Sequence, residues 1–485
     1  MKNINFLILF LASLGLFSCS EDTMQDINSN PNNPTNVAAR LIITDVINNT
    51  SFSVTGSDFA LYASVYIEYN VGVWGQMYNA EIRTGEPSSS TTYNNTWNSV
   101  YANLLNLKTI IEKCSEGGEE EDNTILLGMA QILSAYNIAM LTDLMGDVPW
   151  SEALQPDVIW KPMLDKQADI YNDLNKLLTD GIANLEKPNS IGAIGNQDPL
   201  YGGNADSWKK FAYGLKARYA MRLSKVKPDY NAVIEAASKS FTDKGDEAAY
   251  QYNGSTVRNP FQRFFTDRDY FGASQSLFDK LISRTDPRDT AFFRSYPPDK
   301  VGDKEKEMFF APNGAPIQIQ KYYGISALAT SNASAPVYLM SYHELEFLKA
   351  EAYARQDNLD KAKEHLENAI TICCTNVKIK GEDAKTYYAD VIAPMLTSQE
   401  ETLKEIMLQK YLGLFEIEAI ETYNDIRRLK AMGQGDFVPL ASTLRFPLRY
   451  SYGAEDVTAN INVEKAYGDG TYVYTENVWW AGGSR

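Results

Sequence analysis

Apolar residues recur every three or four positions over long stretches of this chain, and this periodicity constrains the fold more than any other feature. An acidic, glycine-rich break at residues 116–122 separates two such runs: Trp97, Val100, Tyr101, Leu104, Leu105 and Ile111, then Leu126, Leu127, Ala130, Leu133, Tyr136, Met140 and Leu144. This spacing places the apolar side chains on one face of a helix. The two runs therefore predict an antiparallel helical hairpin. Gly146 and Pro149 then predict a helix end, because glycine adopts positive φ readily and proline prevents continuation.

The helical pattern returns further along the chain, in residues 164–185, 208–223, 342–370 and 399–430. We expect the last of these to be one long helix. In residues 342–370 the matching apolar positions flank a polar break at Asp357-Asn358, and they are Ala350, Tyr353, Ala362, Leu366 and Ala369. These spacings resemble the tetratricopeptide repeat, although Cys374 stands where that repeat usually has proline. A generic hairpin shares the small positions, but five matches favour a repeat-like unit.

Two regions, approximately residues 254–340 and 433–485, have a different composition. Glycine, proline, asparagine and aromatic residues dominate them, as in Ser295-Tyr296-Pro297-Pro298. Long loops are uncommon in compact proteins unless they are functional. We therefore predict a mainly α protein, in which a helical scaffold (approximately 41–253 and 341–432) carries a loop-rich binding region with short strands. Together they form a single domain over residues 41–485.

The amino terminus has the features of a targeting segment. A basic start, Met1-Lys2-Asn3, precedes the apolar stretch 4–17, which is shorter than the about 20 residues that a spanning helix needs. Residues 1–18 are therefore predicted to be a signal peptide. Leu16 and Ser18 before Cys19 resemble a bacterial lipobox, which predicts lipidation of Cys19; an ordinary signal peptide with an incidental cysteine is the alternative. Residues 19–40 then form a lipid anchor and an extended, proline-containing tether.

Composition excludes several function classes. With 45 Lys+Arg against 62 Asp+Glu, the formal charge of −17 opposes binding to nucleic acid. Only two histidines occur, His343 and His365, which restricts histidine-based metal sites and histidine-relay catalysis. The chain is instead rich in aromatic residues, with 30 Tyr, 20 Phe and 7 Trp. We predict no catalytic residue, no cofactor and no metal ligand, while a structural calcium ion in a loop stays open.

Several motifs, ordered along the chain, carry a resemblance to a known family. They are the tether 30–35, Tyr93-Asn94-Asn95-Thr96-Trp97, the block Gly146-Asp147-Val148-Pro149-Trp150, residues 423–429 and Trp479-Trp480. With the lipobox, they resemble the SusD/RagB family, in its SusD-like branch. The resemblance implies four tetratricopeptide-like hairpins with an irregular region laid across them. It also implies a lipid-anchored nutrient-binding protein of the outer membrane, facing the exterior.

The same resemblance implies a binding role without enzymatic activity. A protein of this family captures an oligosaccharide and delivers it to a SusC-like TonB-dependent transporter. Peptide cargo with the same transport role is an alternative. A carboxylate-dependent glycosidase and a helical-repeat adaptor protein are weaker alternatives, since nothing in the spacing of the acids singles out a catalytic pair.

Sugar binding requires exposed aromatic planes rimmed by amides or charged groups, because sugar rings have apolar faces and polar edges. The first candidate segment begins at Tyr69 and mixes aromatic rings with amides and glycines; its candidate ligand-binding residues are Trp74, Gln76, Tyr78, Arg83, Tyr93 and Trp97. The second lies in the loop-rich middle, with candidates Arg268, Tyr270 and Tyr296. Core packing of Trp74, Tyr78 or Trp97 is the alternative interpretation.

Overall fold

The structure, a computed structural model, describes residues 37–85, 91–155, 157–189, 194–296 and 308–485. The predicted signal peptide, the lipidated Cys19 and most of the tether lie outside these residues. The helices are α1 Ala39–Asn49, α2 Asp58–Tyr66, α3 Gly75–Glu81, α4 Asn94–Cys114, α5 Thr124–Met145, α6 Gln167–Leu185, α7 Ala205–Arg222, α8 Tyr230–Ser238, α9 Pro260–Arg268, α10 Gln275–Ile282, α11 Asp289–Phe292, α12 Tyr342–Arg355, α13 Leu359–Asn376, α14 Gly381–Tyr387, α15 Gln399–Gly413, α16 Ala419–Ala431, α17 Ala454–Ala459, α18 Ile461–Tyr467 and α19 Tyr472–Thr475.

Short strands lie between these helices along the chain. They are β1 Asn70–Gly72, β2 Val148–Pro149, β3 Leu164–Asp165, β4 Ala248–Tyr250, β5 Phe271–Ala273, β6 Phe293–Arg294, β7 Ile325–Ser326 and β8 Val337–Met340. They pair two by two, always antiparallel: β1 with β5, β2 with β3, β4 with β8, and β6 with β7. The described part of the chain is therefore mainly α, as the periodicity predicts.

The helical hairpins begin and end at residues that the sequence marks. Ser341 and Asn358 cap α12 and α13: Ser341 Oγ accepts from the amide of Glu344 at 3.2 Å, and Asn358 Oδ1 from that of Lys361 at 3.3 Å. Such caps satisfy amide groups that have no partner within the helix. At the end of α5, Gly146 has a φ of 83°, as its place in the motif predicts.

The single long helix expected over residues 399–430 is wrong. The chain instead forms α15 and α16, separated by a turn in which Glu416 has a left-handed backbone with φ 53°. The Glu416 carboxylate accepts hydrogen bonds from Ser326 Oγ at 2.7 Å, the Thr330 amide at 2.9 Å and Asn70 Nδ2 at 2.9 Å. These contacts with distant segments stabilise the turn, which the local apolar periodicity does not reveal.

The loop-rich regions contain more regular structure than their composition predicts. Residues 254–340 include α9, α10 and α11, and residues 433–485 include α17, α18 and α19. Pro260 occupies the first turn of α9, where proline is tolerated, and the Asn259 side chain caps that helix. Proline and asparagine here start helices as well as forming loops.

The core runs through the scaffold and centres on α5. Among the described residues, α5 is the one helix long and apolar enough to cross a membrane, but 89% of its apolar window is buried within the protein. The indole rings of Trp97, Trp208 and Trp480 are fully buried against this core. Burial of α5 by its neighbours identifies it as a core helix.

Several buried charged side chains of the scaffold form ion pairs between helices. Arg428 binds Glu351 through two parallel bonds, Nη1 to Oε1 at 2.6 Å and Nη2 to Oε2 at 2.7 Å. Arg218 Nε donates to Glu344 Oε1 at 2.9 Å, and its Nη2 donates to Glu418 Oε1 at 2.9 Å. Buried charges of this kind are tolerated only when paired.

Candidate functional site

The pairing of β1 with β5 brings together the two segments that the sequence marks as separate candidates. Asn70 lies opposite Ala273 and Gly72 opposite Phe271. The amide of Val73 donates to the carbonyl of Tyr270 at 2.9 Å. Trp74 and Tyr270 therefore emerge side by side at one end of this two-stranded sheet.

Trp74 and Tyr270 form the centre of an exposed aromatic surface. Trp74 is 55% exposed, and the adjacent Gly75 has a φ of 55°. A Cβ atom at Gly75 would lie 2.5 Å from the Tyr270 ring, so only glycine allows that ring to pack beside Trp74. One helical turn further on, Tyr78 donates its hydroxyl to the carbonyl of Pro316 at 2.7 Å.

A third segment, residues 308–323, completes this surface; it lies in the loop-rich region predicted to bind, but none of its residues is among the candidates named from the sequence. It exposes Ile317 by 77% and Ile319 by 51%, and it carries Phe309 and Tyr322, whose rings stack at 5.0 Å. Gln320 Nε2 donates to the carbonyl of Asp269 at 3.0 Å, which fixes the segment against β5. We call the side chains that these three segments expose together the aromatic surface: Trp74, Tyr78, Tyr270, Phe309, Ile317, Ile319 and Tyr322.

A small apolar cluster beneath the aromatic surface holds its segments in register. Val71 and Val73 of the first segment pack with Ala311 and Tyr323 of the third, separate from the main core. Satellite clusters of this kind commonly lie under long loops. The aromatic surface thus rests on its own small core and does not depend on loop conformation alone.

Polar side chains rim the aromatic surface. Gln76 and Arg268 are exposed, while Tyr296 is half-buried and its ring meets Phe265 edge to face at 5.0 Å. Asp269 is buried, and burial raises the pKa of its carboxyl despite the opposing charge of Lys321, whose Nζ lies 3.7 Å from Oδ2. Amide, guanidinium and hydroxyl groups beside exposed rings are the chemistry that reads sugar hydroxyls.

Glu81 ties the segments of the site to one another. Its Oε2 accepts from the amide of Gly72 at 3.1 Å, and its Oε1 accepts from the amide of Gly314 at 2.5 Å. Burial raises the pKa of this carboxyl to about 7. Since both oxygens of Glu81 bind backbone amides, this carboxylate positions the loops.

Burial removes Tyr93 and Trp97 from the candidate residues and separates Arg83 from the aromatic surface. Tyr93 is fully buried and stacks on Tyr450 with ring centres 4.2 Å apart. Trp97 is 1% exposed, and its indole nitrogen donates to the carboxylate of Asp456. Both are aromatic residues at the start of α4 that face the core. Arg83 is 6% exposed and lies in a neighbouring cavity.

Both histidines have structural positions. His343 is fully buried, and burial lowers the pKa of its imidazole to about 4. His365 Nδ1 lies 2.8 Å from Glu346 Oε2, and its ring stacks on Tyr353. Within the described ranges, no group of three or more histidine, cysteine, aspartate or glutamate side chains is arranged to hold a metal ion.

These features define a class of helical-hairpin proteins that carry an aromatic surface on irregular segments, and comparison with known proteins identifies the family. A family model described as "starch-binding associating with outer membrane" matches residues 31–441. The chain therefore belongs to the SusD-like family, which is associated with the outer membrane.

Solved structures agree with this assignment. A SusD/RagB family protein from Bacteroides thetaiotaomicron is 42% identical, with a TM-score of 0.86 over 93% of this chain and 100% of its own. A chitin-binding SusD homolog from Flavobacterium johnsoniae is 20% identical, with a TM-score of 0.73 over 91% of this chain and 98% of its own, which shows a shared fold. No protein with a curated description matches the chain.

Proposed function

We propose that this protein is a cell-surface, lipid-anchored binding protein that captures an oligosaccharide and delivers it to a SusC-like TonB-dependent transporter. The observation that carries the proposal is the aromatic surface, where exposed Trp74 and half-buried Tyr270 lie beside Gln76 and Arg268. The apolar faces of sugar rings would stack on the aromatic planes, and the amide and guanidinium groups would bind the hydroxyls. Family membership supports the same role.

A role without catalysis fits the carboxylates beside the aromatic surface. A glycosidase needs two carboxyl groups on either side of the scissile bond, about 5–9 Å apart. Here Glu81 is committed to two backbone amides, and Asp269 is buried beside Lys321. We therefore propose capture and handover, with no bond cleavage.

A glycan and peptide array followed by titration calorimetry tests the cargo. We expect at least one oligosaccharide to bind the purified protein, and Trp74→Ala to weaken that binding about tenfold or more, because the aromatic burial is lost. Trp160→Ala is the matched control, since Trp160 is 83% exposed on a different segment. Loss of binding in Trp160→Ala alone would move the site to that segment. If only peptides bind, the proposed cargo changes from an oligosaccharide to a peptide, and the proposed transport role is retained.

Delivery and location need separate experiments. We expect a TonB-dependent transporter encoded beside this protein to co-purify with it from outer membranes. We also expect Cys19→Ser to deplete the protein from the outer membrane, because the lipid would not be attached. Retention of Cys19→Ser in the membrane would contradict the lipid-anchor proposal.

A further inference from the structure

A polar cavity of about 250 Å³ lies next to the aromatic surface and is lined by two cationic side chains, Arg83 and Lys430. Tyr66, Ser442 and Phe446 complete the part of its wall that matters here. The formal charge of the whole chain is −17, and most buried arginines of the described residues are paired with carboxylates. Arg83 has no such partner among the described residues.

Neither cation in the cavity forms an ion pair with a described residue. The guanidinium of Arg83 lies over the Tyr66 ring, 4.9 Å from its centre, and Lys430 Nζ lies 5.0 Å from the centre of Phe446. Among the donors of Arg83, only Nη1 forms hydrogen bonds to described residues, namely to the carbonyls of Ala80 and Glu81. Its Nε is buried and has no acceptor among them. An unpaired donor of a buried charged group is costly.

Two carboxylates lie near the two cations of the cavity, and both accept hydrogen bonds from backbone amides. Glu68 attracts Lys430, but its two oxygens accept from the amides of Ala441 at 2.8 Å and Ser442 at 2.7 Å. Glu81 lies near Arg83, and its two oxygens accept from the amides of Gly72 and Gly314. Neither carboxylate forms an ion pair with Arg83 or Lys430, so the two cations retain donors for a bound anion.

The cavity and the aromatic surface lie at opposite ends of helix α3. Helix α3 runs from Trp74 at its start to Arg83 just beyond its end, and a seven-residue helix is about 10 Å long. On the other side, Ser442 packs against Gly314, which lies two residues from the Pro316 carbonyl that Tyr78 binds. A cargo of a few sugar residues could therefore contact both.

We propose that this cavity binds the carboxylate of an acidic sugar, so that the protein selects oligosaccharides containing uronic acid. The proposal rests on the proposed function and names its substrate class. Arginine suits this role because its planar fork matches the two oxygens of a carboxylate. The neighbouring lysine would add a second positive charge without demanding a fixed geometry.

Titration of the purified full chain in a non-ionic detergent with sodium glucuronate, and with glucose as the neutral control, tests the proposal. We expect saturable glucuronate binding that weakens with added salt. Arg83→Gln should reduce the affinity about tenfold or more, because charge-assisted hydrogen bonds are lost. Lys430→Gln should reduce it about two- to fivefold and should preserve the fold, because Lys430 is an exposed residue.

The outcomes separate this inference from the proposed function. Equal affinity for glucuronate and glucose, or unchanged affinity in both variants, would overturn the acidic-sugar site. Binding of sulfate in preference to glucuronate would replace the carboxylate with another anion and would also overturn it. If glucuronate does not bind, while a neutral oligosaccharide binds and Trp74→Ala weakens that binding, the acidic-sugar site is wrong and the proposed function is retained. If glucuronate binds but no oligosaccharide does, the acidic-ligand site survives alone.

Discussion

Glu351→Gln should strongly destabilise the scaffold, because it breaks a buried charge cluster while conserving shape. The Glu351 carboxylate accepts from Arg428 at 2.6 Å and 2.7 Å and from Arg355 Nε at 2.7 Å. A glutamine places an NH₂ group against one of these donors and leaves Arg428 with Asp425 as its remaining partner. Removing one partner of a buried pair costs about 3–5 kcal/mol, and we expect a loss of that size in the free energy of unfolding.

Urea unfolding followed by tryptophan fluorescence measures this loss. Glu235→Gln is the matched control, since the same chemical change occurs in an exposed pair with Lys239, and we expect no measurable shift of the midpoint. Burial alone would raise the pKa of Glu351, but the two guanidinium groups hold it below its usual value. The stabilisation is therefore present above the ordinary carboxyl pKa and is lost as the pH falls below it, a dependence that the variant should lack. A loss below about 1 kcal/mol, the range of surface pairs, would refute this account of the cluster.

Three further predictions concern single residues. Gly75→Ala should weaken oligosaccharide binding in calorimetry while the protein stays folded by circular dichroism, because the new Cβ would displace the Tyr270 ring. Gly146→Ala should lower the free energy of unfolding by about 1–3 kcal/mol in urea, since φ is 83° and Arg449 lies 2.8 Å from the added atom. The His343 pKa falls from 6.5 to about 4 through burial, so the unfolded state binds the proton more readily. Stability should drop by about 3 kcal/mol as the pH falls from 6.5 to 4, and His343→Gln should remove this slope in pH-dependent unfolding.

The scaffold could be predicted because each long helix buries a face whose spacing is local information. Asp357-Asn358 and Gly146 marked helix ends correctly, since turn and cap preferences act within a few residues. The turn between α15 and α16 could not be predicted from local sequence in the same way. Glu416 adopts its left-handed backbone through bonds to Ser326 and Thr330, about 90 residues away in sequence.

The candidate site could be predicted only in part. The segments around Trp74 and Tyr270 were identified by mixed aromatic and amide composition, but three-residue strands carry no readable periodicity, so their pairing was not expected. Residues 308–323 belong to the loop-rich region predicted to bind, but none of them is a named candidate, although apolar Ile317 and Ile319 in a loop rich in proline and glycine were an available signal. Tyr93 and Trp97 are among the predicted ligand-binding residues because composition does not show whether a ring at the start of a helix faces the core or the solvent.

The pairing of Asn70 with Ala273 joins residues about 200 positions apart, and this has a consequence for how the protein matures. Closing so long a stretch of chain is entropically costly and slow compared with forming local hairpins. The helical hairpins can therefore form while the aromatic surface is still incomplete. A partly folded chain would be compact and helical yet unable to hold cargo, so ligand binding reports complete folding where helix content does not. Fragments cut between these two strands should retain helicity and lose recognition altogether.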